Sequence, residues 1–206
     1  MNVYYGRTLR EYRGQYPVTF WLITINSLLF LATLAINARY GSDTVQNRFG
    51  ITSGSPELWR WVTYAFLHNG FQHYAGNNLF LYMMAPTVEH LLGRVRSIAL
   101  VCFTVPITPV AHYFYSNDVG VVGSSGIVFA MLGIYGWLII RNRDLLSKPL
   151  IGLVVFWSVV GWTFTFLGER VSVSGHVIGF LCGVVFSLVC MRKTKSPEAD
   201  RITYVT

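Results

Sequence analysis

Charge is what this chain has least of. Asp and Glu together number 9 in 206 residues, against 16 Lys and Arg, and all charged residues make up 12% of the chain. A soluble domain carries about a quarter, so an ordinary soluble fold is excluded. Hydrophobic residues fill the gap at 53%, with a mean hydropathy of +0.47. They gather in blocks long enough to cross a bilayer, which takes about 20 helical residues. Cysteine is also scarce. Cys102, Cys182 and Cys190 all lie in apolar segments, with no pairing pattern and no Cys/His spacing that would hold zinc. They read as small hydrophobes, and no metal or organic cofactor is expected. Internal repeats are missing too, which argues against a transporter built from inverted halves. The formal charge of +7 does not mark a nucleic-acid binder, because the basic residues sit at the ends of apolar blocks, where lipid head groups and topology account for them.

Six apolar blocks can be drawn, at roughly 17–37, 72–92, 97–115, 124–140, 149–167 and 173–191. The first follows Arg7, Arg10 and Arg13. It is longer than the apolar core of a signal peptide and no small-x-small cleavage site follows it, so an uncleaved first span is expected. The organisation expected is a cytoplasmic segment 1–16, a membrane domain 17–191 and a cytoplasmic tail 192–206. Arg94, Arg96, Arg141, Arg143, Lys148, Arg192, Lys193, Lys195 and Arg201 join the N-terminal arginines on one side, leaving Arg39, Arg48, Arg60 and Arg170 on the other. The positive-inside rule then makes both termini cytoplasmic, and spans two, four and six enter from the outer face.

Polar side chains inside lipid are costly and point to function. Span two opens with His68, Gln72 and His73 and continues to Asn77 and Asn78. Span four opens with Gly123-Ser124-Ser125-Gly126, and span six carries His176 near its start. All three clusters fall at a similar depth toward the outer side. His73 and Asn77, four apart, share a helix face. Gly126, Ala130 and Gly133 form a small-residue stripe on span four, and Gly179, Gly183 and Ser187 form one on span six. Such stripes let membrane helices approach closely, which would bring Ser125 within reach of His176 as nucleophile and base. Spans four and six hold no Asp or Glu, and Glu89 stands 16 residues beyond His73, roughly 24 Å along a helix. The chemistry on offer is therefore a Ser–His dyad without an acidic third member. His73, Asn77 and the Ser125 N–H are candidate donors to an oxyanion, and Ser124 is counted with them. Taken singly, each signal has a blander meaning: a lone GxSG is weak because Gly and Ser are common in membrane helices, a GxxxG-like stripe is a packing motif, and His112 and His90 read as a structural and a head-group histidine. Their coincidence at one depth makes a site.

These residues resemble the rhomboid family of intramembrane serine proteases. Trp59-Arg60 looks like the family's WR segment. His68, His73 and Asn77 fit HxxxxHxxxN, Glu89 and Gly93 fit ExxxG, Gly123-Ser124-Ser125-Gly126 fits GxSG, and His176, Gly179 and Gly183 fit HxxGxxxG. The resemblance implies an all-α, six-transmembrane-helix bundle in which Ser125 attacks peptide bonds in or near transmembrane segments of other proteins, with His176 as base. It implies lipid and membrane-protein partners and no nucleic acid. A prokaryotic cytoplasmic membrane is the default setting, with the site toward the outer face. Phe129 stands where the family frequently has a Tyr that stacks on the histidine, and Gly175 where Ala is usual. Two other classes stay open: a catalytically silent rhomboid-like protein that binds membrane clients, and a transporter or channel using the same polar cavity. The aromatic stretch from Trp162 to Ser174 is either a substrate gate or ordinary lipid-facing packing.

Overall fold

The computed structural model describes residues 8–115, 121–168 and 171–191. The expected tail 192–206, Arg7, and Arg170 within the supposed gate lie outside the described residues. The elements in chain order are α1 (Leu9–Gln15), α2 (Pro17–Tyr40), α3 (Thr44–Phe49), α4 (Arg60–Thr63), α5 (Phe71–Leu92), α6 (Arg94–Ile107), α7 (Val110–Tyr115), α8 (Ser125–Arg141), α9 (Lys148–Leu167) and α10 (Val173–Cys190). Short 3₁₀ turns follow α4 and α8. No strand forms among the described residues, and a lone antiparallel bridge joins Ile51 to Val121.

α2, α5, α6 with α7, α8, α9 and α10 overlie the six apolar blocks. Among the described residues, four stretches are both long and apolar enough to cross a membrane: 17–40, 94–114, 148–167 and 173–190. α8 is short at 17 residues, and α5 is diluted by His73, Asn77, Asn78 and Glu89. The reason is position. α8 is buried along nearly its whole length, from Gly126 to Leu138, so its surroundings are protein rather than lipid and need neither full span length nor an apolar circumference. The helices around it show the opposite habit. α2 exposes Trp21, Leu28, Leu31 and Leu34, and α9 exposes Val155, Phe156, Val159, Phe164 and Phe166. Apolar side chains facing outward all round a bundle are what a lipid solvent requires. The chain is an integral membrane protein.

The tightest packing is between α8 and α10. A methyl group on Gly179 would come 2.6 Å from the Gly126 carbonyl oxygen and 3.1 Å from its Cα, one on Gly183 would overlap the Ala130 carbonyl, and one on Gly133 would overlap the Phe180 carbonyl. The two small-residue stripes therefore meet backbone to backbone. Across the bundle, the Tyr135 hydroxyl donates to the Met84 carbonyl at 2.6 Å, joining α8 to α5.

Glu89, near the far end of α5, is buried and accepts hydrogen bonds from the Val18 N–H at 3.0 Å, the Thr19 N–H at 2.8 Å and the Thr19 hydroxyl at 2.8 Å. The first N–H groups of a helix have no internal acceptor, and Pro17 begins α2 with none of its own. A carboxylate from another helix thus caps α2 and matches its dipole. Within the segment 1–16, expected from sequence to be cytoplasmic, Leu9–Gln15 form α1, and Tyr12 stacks on Tyr82 of α5 at 5.7 Å.

The long connection from α2 to α5 is held by Arg60, whose Nη1 donates to the Asn47 carbonyl at 2.8 Å and the Gly50 carbonyl at 2.9 Å. That fixes Ile51, which exchanges two backbone hydrogen bonds with Val121, at 2.9 and 3.0 Å. The Gly123 N–H donates to the Tyr64 carbonyl at 2.9 Å. The first connection therefore supports the chain just before α8. The third apolar block breaks between α6 and α7, where Pro109 brings no N–H to continue the ladder.

Candidate active site

Ser125 is the first residue of α8, directly after Gly123 and Ser124. The Gly123 φ is +138°, a region that side-chain-bearing residues rarely adopt. Space gives a second reason for glycine. A Cβ there would lie 2.6 Å from His73 Cε1, 2.8 Å from His73 Nε2 and 3.5 Å from Ser125 Oγ. The absent side chain leaves room for the His73 ring beside the Ser125 hydroxyl. As a helix start, Ser125 and Gly126 also carry N–H groups that the helix cannot use.

His73 is oriented by the Asn69 N–H, which donates to its Nδ1 over a long 3.4 Å. With Nδ1 accepting, the neutral ring carries its proton on Nε2, the nitrogen on the Gly123 side of the ring. One turn along α5, Asn77 is buried, and its side-chain Nδ2 has no hydrogen-bond partner. An unpaired buried donor is costly. Here it shares a helix face with the His73 ring.

His176 lies one turn from the start of α10. Its ring stacks on Phe129, with centroids 4.2 Å apart and planes 11° from parallel. Phe129 is one turn beyond Ser125, and Gly179 sits against Gly126, so Ser125 and His176 occupy facing turns of the α8–α10 contact. The ring contact expected of the residue at 129 is made without a hydroxyl. Ser125 Oγ and His176 do not close a hydrogen bond. His176 Nδ1 pairs instead with the Thr165 hydroxyl at 2.7 Å, leaving Nε2 as its uncommitted nitrogen.

The Ser124 hydroxyl, counted from sequence with the oxyanion groups, is spent elsewhere. It pairs with His68 Nε2 at 3.2 Å and accepts from Asn26 Nδ2 at 3.3 Å. Asn26 Nδ2 also reaches Asn78 Oδ1 at 3.3 Å, and Asn78 Nδ2 donates to the Tyr74 carbonyl at 3.0 Å. His68, Asn26 and Ser124 are all fully or almost fully buried. This network ties the Ser124 side chain to α2 and α5, and the His68 ring also meets the His73 ring edge-on at 5.2 Å. Gly126 is needed for a further contact, since a Cβ there would sit 2.6 Å from Thr108 Cγ2. Gly183 takes no part beyond helix packing.

Three residues at or behind the site went unnoticed in the sequence. Asn26 carried a usable signal, being a polar residue in the middle of an apolar span. Thr108 and Thr165 carried almost none, because threonine is common in membrane helices, where its hydroxyl can bond the carbonyl one turn back. Among the described residues no cluster of His, Cys, Asp and Glu could hold a metal ion.

The supposed gate is lightly held. Val154 and Thr165 are the buried residues of α9. Trp162 packs edge-on to Phe129 at 4.9 Å and stacks on Phe166 at 5.7 Å, while Trp157 meets Phe80 of α5 edge-on at 5.6 Å.

Comparison with known proteins gives this arrangement a context. Residues 55–193 match the model of the Rhomboid domain. The chain is 25% identical to a protein named putative rhomboid protease YdcA of Bacillus subtilis (strain 168), over 86% of this chain and 90% of that protein. It is 27% identical to rhomboid protease GlpG of Serratia proteamaculans (strain 568), over 89% of this chain, and 30% identical to rhomboid protease GlpG of Salmonella choleraesuis (strain SC-B67), over 88% of it. The chain spans 65% of the length of each GlpG relative.

Proposed function

The chain belongs to the rhomboid family, and on that premise we propose that it is an intramembrane serine protease cutting peptide bonds in or near transmembrane segments of other membrane proteins. Ser125 is the nucleophile and His176 the base. The domain from 17 to 191 crosses the membrane six times, α8 being the crossing enclosed by protein and α5 one that is buried on one face and exposed on the other. Both termini face the cytoplasm of a prokaryotic cell and the site opens toward the outer side.

In the first step Ser125 Oγ attacks the scissile carbonyl carbon and its proton passes to His176 Nε2. The developing oxyanion is met by His73 Nε2–H, the unpaired Asn77 Nδ2 and the Ser125 N–H. As the C–N bond breaks, His176 returns the proton to the leaving amine. Water then attacks the acyl ester, again giving a proton to His176, which returns it to Ser125 Oγ as the acyl C–O bond breaks and the carboxyl product leaves. A substrate helix must unwind before its carbonyl can be reached, so weak helix formers near the cut favour cleavage.

The observation that carries this reading is the space at Gly123, around which the His73 ring and Ser125 Oγ come together. The unclosed Ser125–His176 hydrogen bond is what favours the rival, a silent rhomboid-like protein that binds membrane clients. Catalytic hydrogen bonds commonly tighten only when substrate is bound, so the open pair suits the protease as well. The two are separated by labelling detergent-solubilised protein with a fluorophosphonate. Labelling by the wild type that is abolished in Ser125→Ala and His176→Ala is expected. Folded wild type that does not label would leave the client-binding reading in its place.

A further inference from the structure

His176 has no carboxylate to orient it, yet one of its nitrogens is engaged. The Thr165 hydroxyl lies 2.7 Å from His176 Nδ1 and 2.7 Å from the Gly161 carbonyl oxygen. A hydroxyl has a single proton to donate. The Gly161 carbonyl can only accept, so the proton goes there, and toward His176 the hydroxyl can only accept. Nδ1 must then carry the hydrogen. In a neutral imidazole this leaves the lone pair on Nε2, the nitrogen that a serine's base needs free. Phe129 fixes the plane of the ring by stacking on its face, and Thr165 fixes the rotation within that plane. Thr165 is 1% exposed, so water does not compete for the bond.

Resting on the protease reading above, we propose that Thr165 is the positioning residue of His176, holding its imidazole in the Nδ1–H tautomer and aiming Nε2 toward Ser125. It takes the orienting place that a carboxylate fills in a Ser–His–Asp triad, without supplying charge. The Gly161 carbonyl is the group that makes Thr165 an acceptor. Thr165 rides on α9, whose remaining length is mostly turned outward. The aim of the base therefore depends on how α9 docks against α8 and α10.

The test compares wild type, Thr165→Val and Thr165→Ser, each first shown to be folded by thermal unfolding. Valine keeps the shape and loses the acceptor; serine keeps the acceptor. Thr165→Val is expected to lower the fluorophosphonate labelling rate, and kcat on a transmembrane substrate, by a similar factor of about 10 with KM unchanged, the size expected for one lost intramolecular hydrogen bond. Thr165→Ser should restore most of the rate. Nitrogen-15 NMR of labelled histidine should show His176 protonated at Nδ1 in wild type and redistributed toward Nε2–H in Thr165→Val. A loss confined to the transmembrane substrate would overturn the proposal, making Thr165 part of substrate entry. A Thr165→Val protein as fast as wild type, or a wild-type His176 protonated at Nε2, would overturn it as well. If wild type does not label at all, the protease reading fails separately, and the NMR tautomer still decides whether Thr165 sets the proton.

Discussion

Replacing Gly179 with Ala puts a methyl group where the α8 backbone already stands. The added carbon would lie 2.6 Å from the Gly126 carbonyl oxygen, 3.1 Å from its Cα and 3.2 Å from its carbonyl carbon, against ordinary contacts of 3.4 Å or more. All three atoms are backbone, so no side chain can swing away, and the helices must part by close to 1 Å at this level. Overpacking of this kind costs about 1–3 kcal/mol, offset by up to ~1 kcal/mol from the better helix propensity of alanine. The net loss falls between about 0 and 3 kcal/mol, with about 1–2 kcal/mol expected. The functional loss is larger, because Gly126 adjoins Ser125 and Gly179 lies one turn from His176. A displacement near 1 Å between reacting groups can cost about 10²-fold. The assay pairs thermal unfolding in detergent with the rate of fluorophosphonate labelling. Gly152→Ala is the control, since nothing lies within 4 Å of a Cβ there. It should be neutral or slightly stabilising and label at the wild-type rate. If Gly179→Ala unfolds and labels like wild type, the α8–α10 contact does not set the Ser125–His176 geometry and the reasoning fails.

Two more perturbations separate chemistry from framework. His73→Ala is expected to reduce turnover by about 10²–10³, as loss of an oxyanion donor does, with little change in thermal unfolding; near-wild-type activity beside a dead Ser125→Ala would remove His73 from that role. Glu89→Ala strips the cap from α2 and leaves the Val18 and Thr19 N–H groups unpaired, so a loss of about 2–3 kcal/mol is expected, read as a lowered unfolding temperature. An unchanged temperature would mean that the cap contributes nothing.

Much of the fold was legible because its signals are local and periodic. An apolar block long enough for lipid is visible in one dimension, and α5, drawn at 72–92, runs from Phe71 to Leu92. The break between α6 and α7 was missed although Pro109 was in view, since a proline in an apolar run ends some membrane helices and is accommodated in others. The spacing of Gly126, Ala130 and Gly133 against Gly179 and Gly183 foretold a close helix pair, because a missing side chain says the same thing wherever the helix goes. The charge-poor composition and the ordered polar clusters on alternate blocks were likewise properties of the chain alone.

Which partner each polar atom finds was decided only in three dimensions. Ser124 looked like a neighbour of the chemistry, and its hydroxyl turned back to His68 and Asn26. Glu89 looked isolated, 16 residues from His73, and its partners are backbone N–H groups 70 and 71 residues away. Thr165 looked like any membrane-helix threonine until packing set its hydroxyl between the Gly161 carbonyl and His176 Nδ1. The physical reason is common to all three. Periodicity states which face of a helix is buried, but a hydrogen bond depends on distances near 3 Å, and those follow from how separate helices rotate and dock against one another.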